Sequence, residues 1–182
     1  MRIDRFSDGN ASFLMEMKEI QIYLSLGSNL GDRQANLNDA LDALEGTFGG
    51  AHKRISKVYQ TKPWGFEAEQ DFLNLVVRYD IGVEDGFDAV EYGRSLLKEC
   101  KRIEAEMGRK LSEPKFDECG RRIYSSRTVD IDILMIGKFR FSVPDLTVPH
   151  EMMFRRDFVL IPLMDVISDE MKKEFDSEFK CK

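Results

Sequence analysis

Ile20-Gln-Ile-Tyr-Leu-Ser-Leu26 alternates apolar and polar side chains until Gly27-Ser-Asn-Leu-Gly31 interrupts it with a glycine-bounded turn. A period of two predicts a β-strand with one buried face. After Asp32, a residue suited to an N-cap, Leu37, Ala40, Leu41 and Leu44 recur at i, i+3, i+4 and i+7, and Gly46 follows as a stop. That spacing predicts an amphipathic helix, so the chain enters its fold as strand, turn and helix.

Outward from this unit, a second strand is expected at 54–60, a loop at Thr61-Lys-Pro-Trp-Gly65 and a third strand at 72–79. Residues 85–107 read as a long helix with Val90, Leu97, Cys100, Ile103 and Met107 as its apolar line. Beyond a charged loop at 108–126, Val129, Ile131, Ile133 and Met135 alternate with Thr128, Asp130, Asp132 and Leu134, the clearest strand pattern in the chain. The order β-α-β-β-α-β is that of an α+β, ferredoxin-like split βαβ core.

The chain has 182 residues, 27 Lys+Arg against 33 Asp+Glu, and 42% hydrophobic residues, the balance of an ordinary globular protein. Three widely spaced cysteines without a CxxC argue against a disulfide framework or zinc site, and a cytoplasmic location is expected. No apolar run is long enough to span a membrane, and charges within the first 19 residues break any signal-peptide core. A net charge of -6 and a pI near 5.1 speak against a nucleic-acid footprint. Residues 1–19 are expected to be an N-terminal extension, 20–170 a single domain and 171–182 a C-terminal tail, in a monomer that binds small molecules rather than nucleic acid or membrane.

The chain has no GxxxxGK[ST], GxGxxG, HExxH or GxSxG motif. Asp130 and Asp132, two apart on a strand, put both carboxylates on one face among Val, Ile and Leu neighbours. The bland alternative is a solvated face, but a carboxylate pair on so apolar a strand calls for a hard cation such as Mg²⁺. Arg109, Lys110, Lys115, Arg121, Arg122 and Arg127 lead up to the pair, as a metal-bound polyphosphate would need. Phe72 and Asn74 also share a strand face, with Pro63 and Trp64 just before them and Phe158 later in the chain, the stacking and amide groups that hold a flat heterocycle. A lone His150 is more often structural than catalytic, and Glu104, three residues after Lys101, reads first as half of a surface ion pair.

These residues together resemble the 6-hydroxymethyl-7,8-dihydropterin pyrophosphokinase family over about 20–166. The blocks are Leu26-Gly-Ser-Asn-Leu-Gly31, Tyr59-Gln-Thr-Lys-Pro-Trp-Gly65 with Phe72-Leu-Asn74, Ile103-Glu104 with Gly108-Arg109, Arg127-Thr-Val-Asp-Ile-Asp-Ile133, and Val148-Pro-His150 with Arg156 and Phe158. The resemblance implies a three-layer α/β/α sandwich with a mostly antiparallel sheet, and transfer of pyrophosphate from ATP to the pterin alcohol, yielding AMP, in folate biosynthesis. By position, it implies two Mg²⁺ on Asp130 and Asp132, which with Arg109 and Arg127 form the catalytic set. Thr61, Lys62, Trp64, Phe72, Asn74 and Phe158 fall at pterin positions. Lys101, Glu104, Arg109, Arg127, Ile133, Thr147, His150, Glu151 and Arg156 fall at ATP positions. The stretch between Arg109 and Arg127 is longer than in many relatives, leaving Arg121 and Arg122 as alternative phosphate ligands; Tyr124 replaces a Trp and Ser126 a Pro, and Lys101 and Glu151 stand where Gln and Tyr are common.

Two other classes fit a sheet of this kind: a single-stranded RNA module, and a nucleotide-binding regulatory domain without turnover. AMP release that depends on added pterin separates the enzyme from both. Deleting residues 1–17 is expected to keep that activity within about tenfold of the full chain, since they precede the first strand; a larger loss in a folded variant would assign them to the site.

Overall fold

In the computed structural model, which describes residues 17–64, 68–108 and 126–180 and two short strands at 115–116 and 122–123, β1 spans Lys18–Ser28. It is followed by α1 (Arg33–Phe48), β2 (Arg54–Ile55), β3 (Tyr59–Thr61), β4 (Phe72–Val83) and α2 (Ala89–Glu106). The short β5 (Lys115–Phe116) and β6 (Arg122–Ile123) pair with each other. Then come β7 (Asp130–Ile136), the hairpin β8 (Phe141–Val143) and β9 (Leu146–Val148), and α3 (Asp157–Val166), α4 (Asp169–Glu174) and α5 (Asp176–Lys180).

The main sheet runs β2-β4-β1-β7, with β3 also on β4, and every one of these pairings is antiparallel. This is the expected α+β, ferredoxin-like order. The alternation of β1 works as read: Ile22, Leu24 and Leu26 meet Leu75, Val77, Ile131 and Ile133 in one buried layer beneath α1 and α2. On the opposite face Tyr23, Val76, Leu134 and Met135 form a second core with Met153, Val159, Leu163, Val166, Met171 and Phe175, which makes α3 and α4 the third layer.

Several local expectations give way to longer-range contacts. Gly46 does not end α1: Asp32 caps its start through a bond from Ala35 N, but the helix continues to Phe48, whose ring stacks on Tyr79 at 3.9 Å. The left-handed Gly49 then stops it, with Gly50 N–H donating to the Glu45 carbonyl at 3.0 Å. The strand expected at 54–60 is split, because Ser56 Oγ accepts from Val76 N at 2.9 Å in place of a main-chain carbonyl, while Lys57 N donates to Asp165 of α3 at 3.1 Å. The long helix begins after Asp88, whose side chain accepts from Val90 N and Glu91 N. Its buried line is Ala89, Gly93, Leu96, Cys100, Ile103 and Glu104, with Val90, Leu97 and Met107 only half-buried. Gly93 permits this contact, since a Cβ there would lie 2.8 Å from Leu146 Cδ2. In β7, the register shift opposite Tyr23 and Leu24 gives Leu134 no partner on β1, so Met135 leaves the face of Ile131 and Ile133 for the second core.

At the chain ends, β1 begins at Lys18, inside the stretch read as an extension. The segment read as a tail contributes buried Met171 and Phe175, and Arg140 holds it with its guanidinium 4.1 Å over the Phe175 ring and a 2.8 Å bond to Glu174. No helix of the described residues is long and apolar enough to cross a membrane. Leu24, fully buried at the sheet centre, is the simplest probe of the first core. Leu24→Ala should lower unfolding free energy by ~3 kcal/mol in urea titrations with the m-value unchanged.

Candidate active site

Strand register assembles the site. Gly27 of β1 is paired with Asn74 of β4 on one side and Asp130 of β7 on the other, and Ser25 is paired with Val76 and Asp132. Alternation sends Ser25, Gly27, Phe72, Asn74, Asp130 and Asp132 to the same sheet face, where all six line one pocket. The two β1 residues are small, so they form a floor between an aromatic–amide wall and an acidic wall. At Gly27 the fit is tight: a Cβ would fall 2.9 Å from Asn74 Oδ1 and 3.6 Å from Phe72 Cδ1.

Asn74 is buried and donates through Nδ2 to Thr61 Oγ1 at 2.8 Å, joining β4 to β3 at the pocket. Beside them Trp64 stands half out in solvent, and the Arg156 guanidinium carbon lies 4.9 Å from the centre of its ring and 5.7 Å from that of Phe158. Phe158 projects from the first turn of α3, so that helix start supplies the wall facing the sheet. Lys62 also lines the pocket, but its ammonium is turned to Asp71 at 3.0 Å.

On the acidic wall, Arg127 Nη1 bonds Asp130 Oδ2 at 2.6 Å. Asn29 fixes this approach: its Oδ1 accepts from Arg127 N at 2.8 Å, its Nδ2 donates to Ser126 Oγ at 3.0 Å, and its own N–H donates to the Arg127 carbonyl at 3.2 Å. The Asp132 carboxylate has no hydrogen bond among the described residues. Burial and then the charge of Asp130 raise its carboxyl above the usual carboxylate range, opposed by His150, Lys101 and Arg156. The acid is thus uncomfortable in its ionised form until a cation joins it. No group of three or more His, Cys, Asp or Glu able to hold a metal occurs among the described residues, so a cation here would draw its other ligands from substrate or water.

Glu104 is not a surface residue. It is fully buried, and its Oε1 accepts from Ile131 N, between the two aspartates, at 2.8 Å while Lys101 Nζ reaches its oxygens at 2.9 and 3.0 Å. Burial raises its carboxyl, with Lys101 opposing. The Ile133 side chain is packed in the core under α1 and α2. His150 accepts from Met152 N at 3.2 Å through Nδ1 and donates its own N–H to the Leu134 carbonyl at 2.9 Å, which leaves Nε2 to carry the proton of the neutral ring. Thr147 lies on β9, its hydroxyl 3.0 Å from that of Ser142, and Glu151 is exposed nearby. Arg109 and Arg121 and the side chain of Arg122 lie outside the described residues. The sequence reading missed Ser25, Gly27 and Asn29, whose signal was the glycine-bounded turn closing the first strand.

The sheet face therefore joins a flat-ring slot to an acidic pair approached by arginines, the layout of an α+β group-transfer enzyme. The family model for 7,8-dihydro-6-hydroxymethylpterin-pyrophosphokinase matches residues 23–168, and the chain belongs to that family of enzymes, which transfer pyrophosphate. It is 39% identical over 148 residues to the 2-amino-4-hydroxy-6-hydroxymethyldihydropteridine pyrophosphokinase of Porphyromonas gingivalis, covering 80% of this chain and 89% of that one. It is 34% identical over 145 residues to the enzyme of the same name from Aquifex aeolicus, covering 80% and 79%. It is also 36% identical over 159 residues to the mitochondrial folate synthesis bifunctional protein of Pisum sativum, covering 87% of this chain but 27% of that longer protein.

The contact at Gly27 is directly testable. Gly27→Ala forces Asn74 off Thr61 or bends the sheet, so stability should fall by ~1–3 kcal/mol and the Asn74 side-chain amide resonances should move, while an unmoved amide would contradict the packing.

Proposed function

We propose that this chain transfers pyrophosphate from ATP to 6-hydroxymethyl-7,8-dihydropterin, giving AMP and the pterin diphosphate for folate biosynthesis. The observation that carries the reading is the shared floor of Ser25 and Gly27, which sets the Phe72–Asn74 wall and the Asp130–Asp132 wall side by side in one pocket. A pterin is flat, with donors and acceptors along its edge. Phe72 and Phe158 offer it ring faces, and Asn74, held by Thr61, offers an oriented amide. The polyphosphate then extends toward Asp130 and Asp132.

Two carboxylates of like charge, one with no hydrogen bond among the described residues, are a hard-oxygen set that suits Mg²⁺ bridged to substrate phosphates. When bound there, the two Mg²⁺ would neutralise charge on the phosphate oxygens. The rest of the work belongs to the chain's own residues. Asn74 and the aromatic pair hold the pterin so that its hydroxymethyl oxygen faces the β-phosphorus in line, with AMP as the leaving group. Arg127, steadied by Asn29 and paired with Asp130, and Arg156, at the lip of the slot, spread the negative charge that moves to the leaving oxygen. Arg109 belongs to this group by family position. Glu104 holds the Ile131 amide and so keeps the β7 main chain fixed between the two acids. By family position His150, whose ring is held by the bond from Met152 N to Nδ1, meets phosphate, and Lys101, Thr147 and Glu151 serve the nucleoside.

The test is AMP formation measured with and without the pterin, in wild type and in Asp130→Asn and Asp132→Asn. Wild type should release AMP only with pterin and Mg²⁺, and each variant should lose ~10²-fold or more in kcat, about 3 kcal/mol of transition-state stabilisation. Stability without ligands should separate the two. Asp132→Asn should not lower it, because the native carboxyl is raised and its charge opposes folding at neutral pH; for the same reason that penalty fades as pH falls. Asp130→Asn gives up a 2.6 Å ion pair with Arg127 and should be neutral or slightly destabilising. Full activity in either variant would remove that residue from the metal site.

A further inference from the structure

The connection from β3 to β4 leaves the sheet at Thr61 and returns at Phe72, which are directly paired, so Lys62 and Asp71 are the next opposed couple beyond the last rung. Thr61 and Phe72 face the pocket, alternation turns Gln60 and Asp71 the other way, and Lys62, at the pocket's edge, directs its ammonium to Asp71. There the Asp71 carboxylate gathers the ends of the connection. Lys62 Nζ lies 3.0 Å from one oxygen and Gln60 Nε2 donates to the other at 2.9 Å. The Asp71 carbonyl accepts from Nη1 of Arg33, the first residue of α1, at 2.7 Å. Gln60 and then Lys62 hold the Asp71 carboxyl below its usual range. Side chains from the middle of β3, from the residue that follows it and from the start of α1 thus converge on one residue immediately before Phe72.

We infer that Asp71 is a positioning residue that clasps the foot of the 62–71 connection and sets Trp64 and Phe72 at the aromatic slot, with Lys62 acting on Asp71 rather than on the ligand. The inference deepens the proposed function, resting on the slot being the pterin site. An exposed ion pair contributes little to global stability. Its effect is on the fraction of molecules whose slot is formed, and apparent affinity falls with that fraction. Loss of the clasp therefore weakens pterin binding and leaves the acidic wall, carried by β7, as it was.

The experiment compares Lys62→Ala, Asp71→Ala and the double variant, with Asp71→Asn as a variant that keeps the side chain's shape. KM for pterin, KM for ATP and kcat are measured, together with amide exchange at residues 60–64, 68–72 and 130–136 without ligands. Each Ala variant should raise the pterin KM about fivefold, the double should raise it no further, and ATP KM and kcat should hold. Exchange should quicken at 60–64 and 68–72 and stay the same along β7, with Asp71→Asn shifted in the same direction. Additive effects, or an effect of Lys62→Ala that Asp71→Ala lacks, would make Lys62 a ligand contact and overturn the clasp, as would unchanged exchange at 60–64 and 68–72. A wild-type protein without pterin-dependent AMP formation would overturn the proposed function instead, and the exchange measurements would still decide the clasp.

Discussion

One face of β1 has to serve as core at one end and as site at the other. Along that face its residues are Tyr23, Ser25 and Gly27, a decrease in size of one step per rung. Tyr23 is large enough to support the C-terminal helices, and its hydroxyl is tied in by donating to Gln21 at 2.6 Å and accepting from Ser168 N at 3.1 Å. Ser25 and Gly27 are too small to meet the helices, so the layer formed by α3 and α4 cannot continue over them and a pocket remains. The opposite face of the strand has no such taper: Ile22, Leu24 and Leu26 are all fully buried. The pocket is therefore a consequence of side-chain volume on the central strand, and the residues of β4 and β7 line it because register places them beside Ser25 and Gly27.

An acidic wall against such a core is costly unless each charge is answered. Asp130 is answered by Arg127, and Glu104 by Lys101 and the Ile131 amide. Asp132 is left with long-range help from His150, Lys101 and Arg156. The pairing thus goes to the groups around Asp132 and leaves that carboxylate without a hydrogen bond among the described residues, as the proposed cation site requires. Buried Glu104 is the support beneath it, since its bond to the Ile131 amide fixes the main chain between the two acids.

What could be read from the sequence follows the range of the forces involved. β1, α1 and β7 were legible because burial of one face imposes its period on a short window, and Asp130 and Asp132 stood out because they break an apolar strand on one side only. The split of the edge strand was not legible, because it depends on Ser56 reaching Val76 and on Lys57 reaching Asp165, over a hundred residues away. Nor was the end of α1, where Phe48 stacking on Tyr79 carries the helix past Gly46. Glu104 at i+3 from Lys101 has the spacing of a surface pair on any helix, and only the docking of α2 on β7 makes it interior. The bulge at Leu134 and the burial of Phe175 belong to the same class, being set by pairing and packing across the molecule.

The two walls of the pocket rest on different parts of the fold. The aromatic–amide wall hangs on the β3–β4 hairpin and the start of α3, through the Asn74–Thr61 bond, the contacts of Asp71, and Arg156 over Trp64. The acidic wall hangs on α2 and the turn after β1, through Glu104 and Asn29. Where the walls adjoin, the main-chain pairing passes through Gly27, which has no side chain to transmit a shift, and through Ser25. The ladder bonds of β1 to β4 and β7 set the distance between the walls. That division suits a reaction in which two unlike substrates are gripped separately and must meet at a fixed separation, because the strand between the walls sets how far apart the two grips lie.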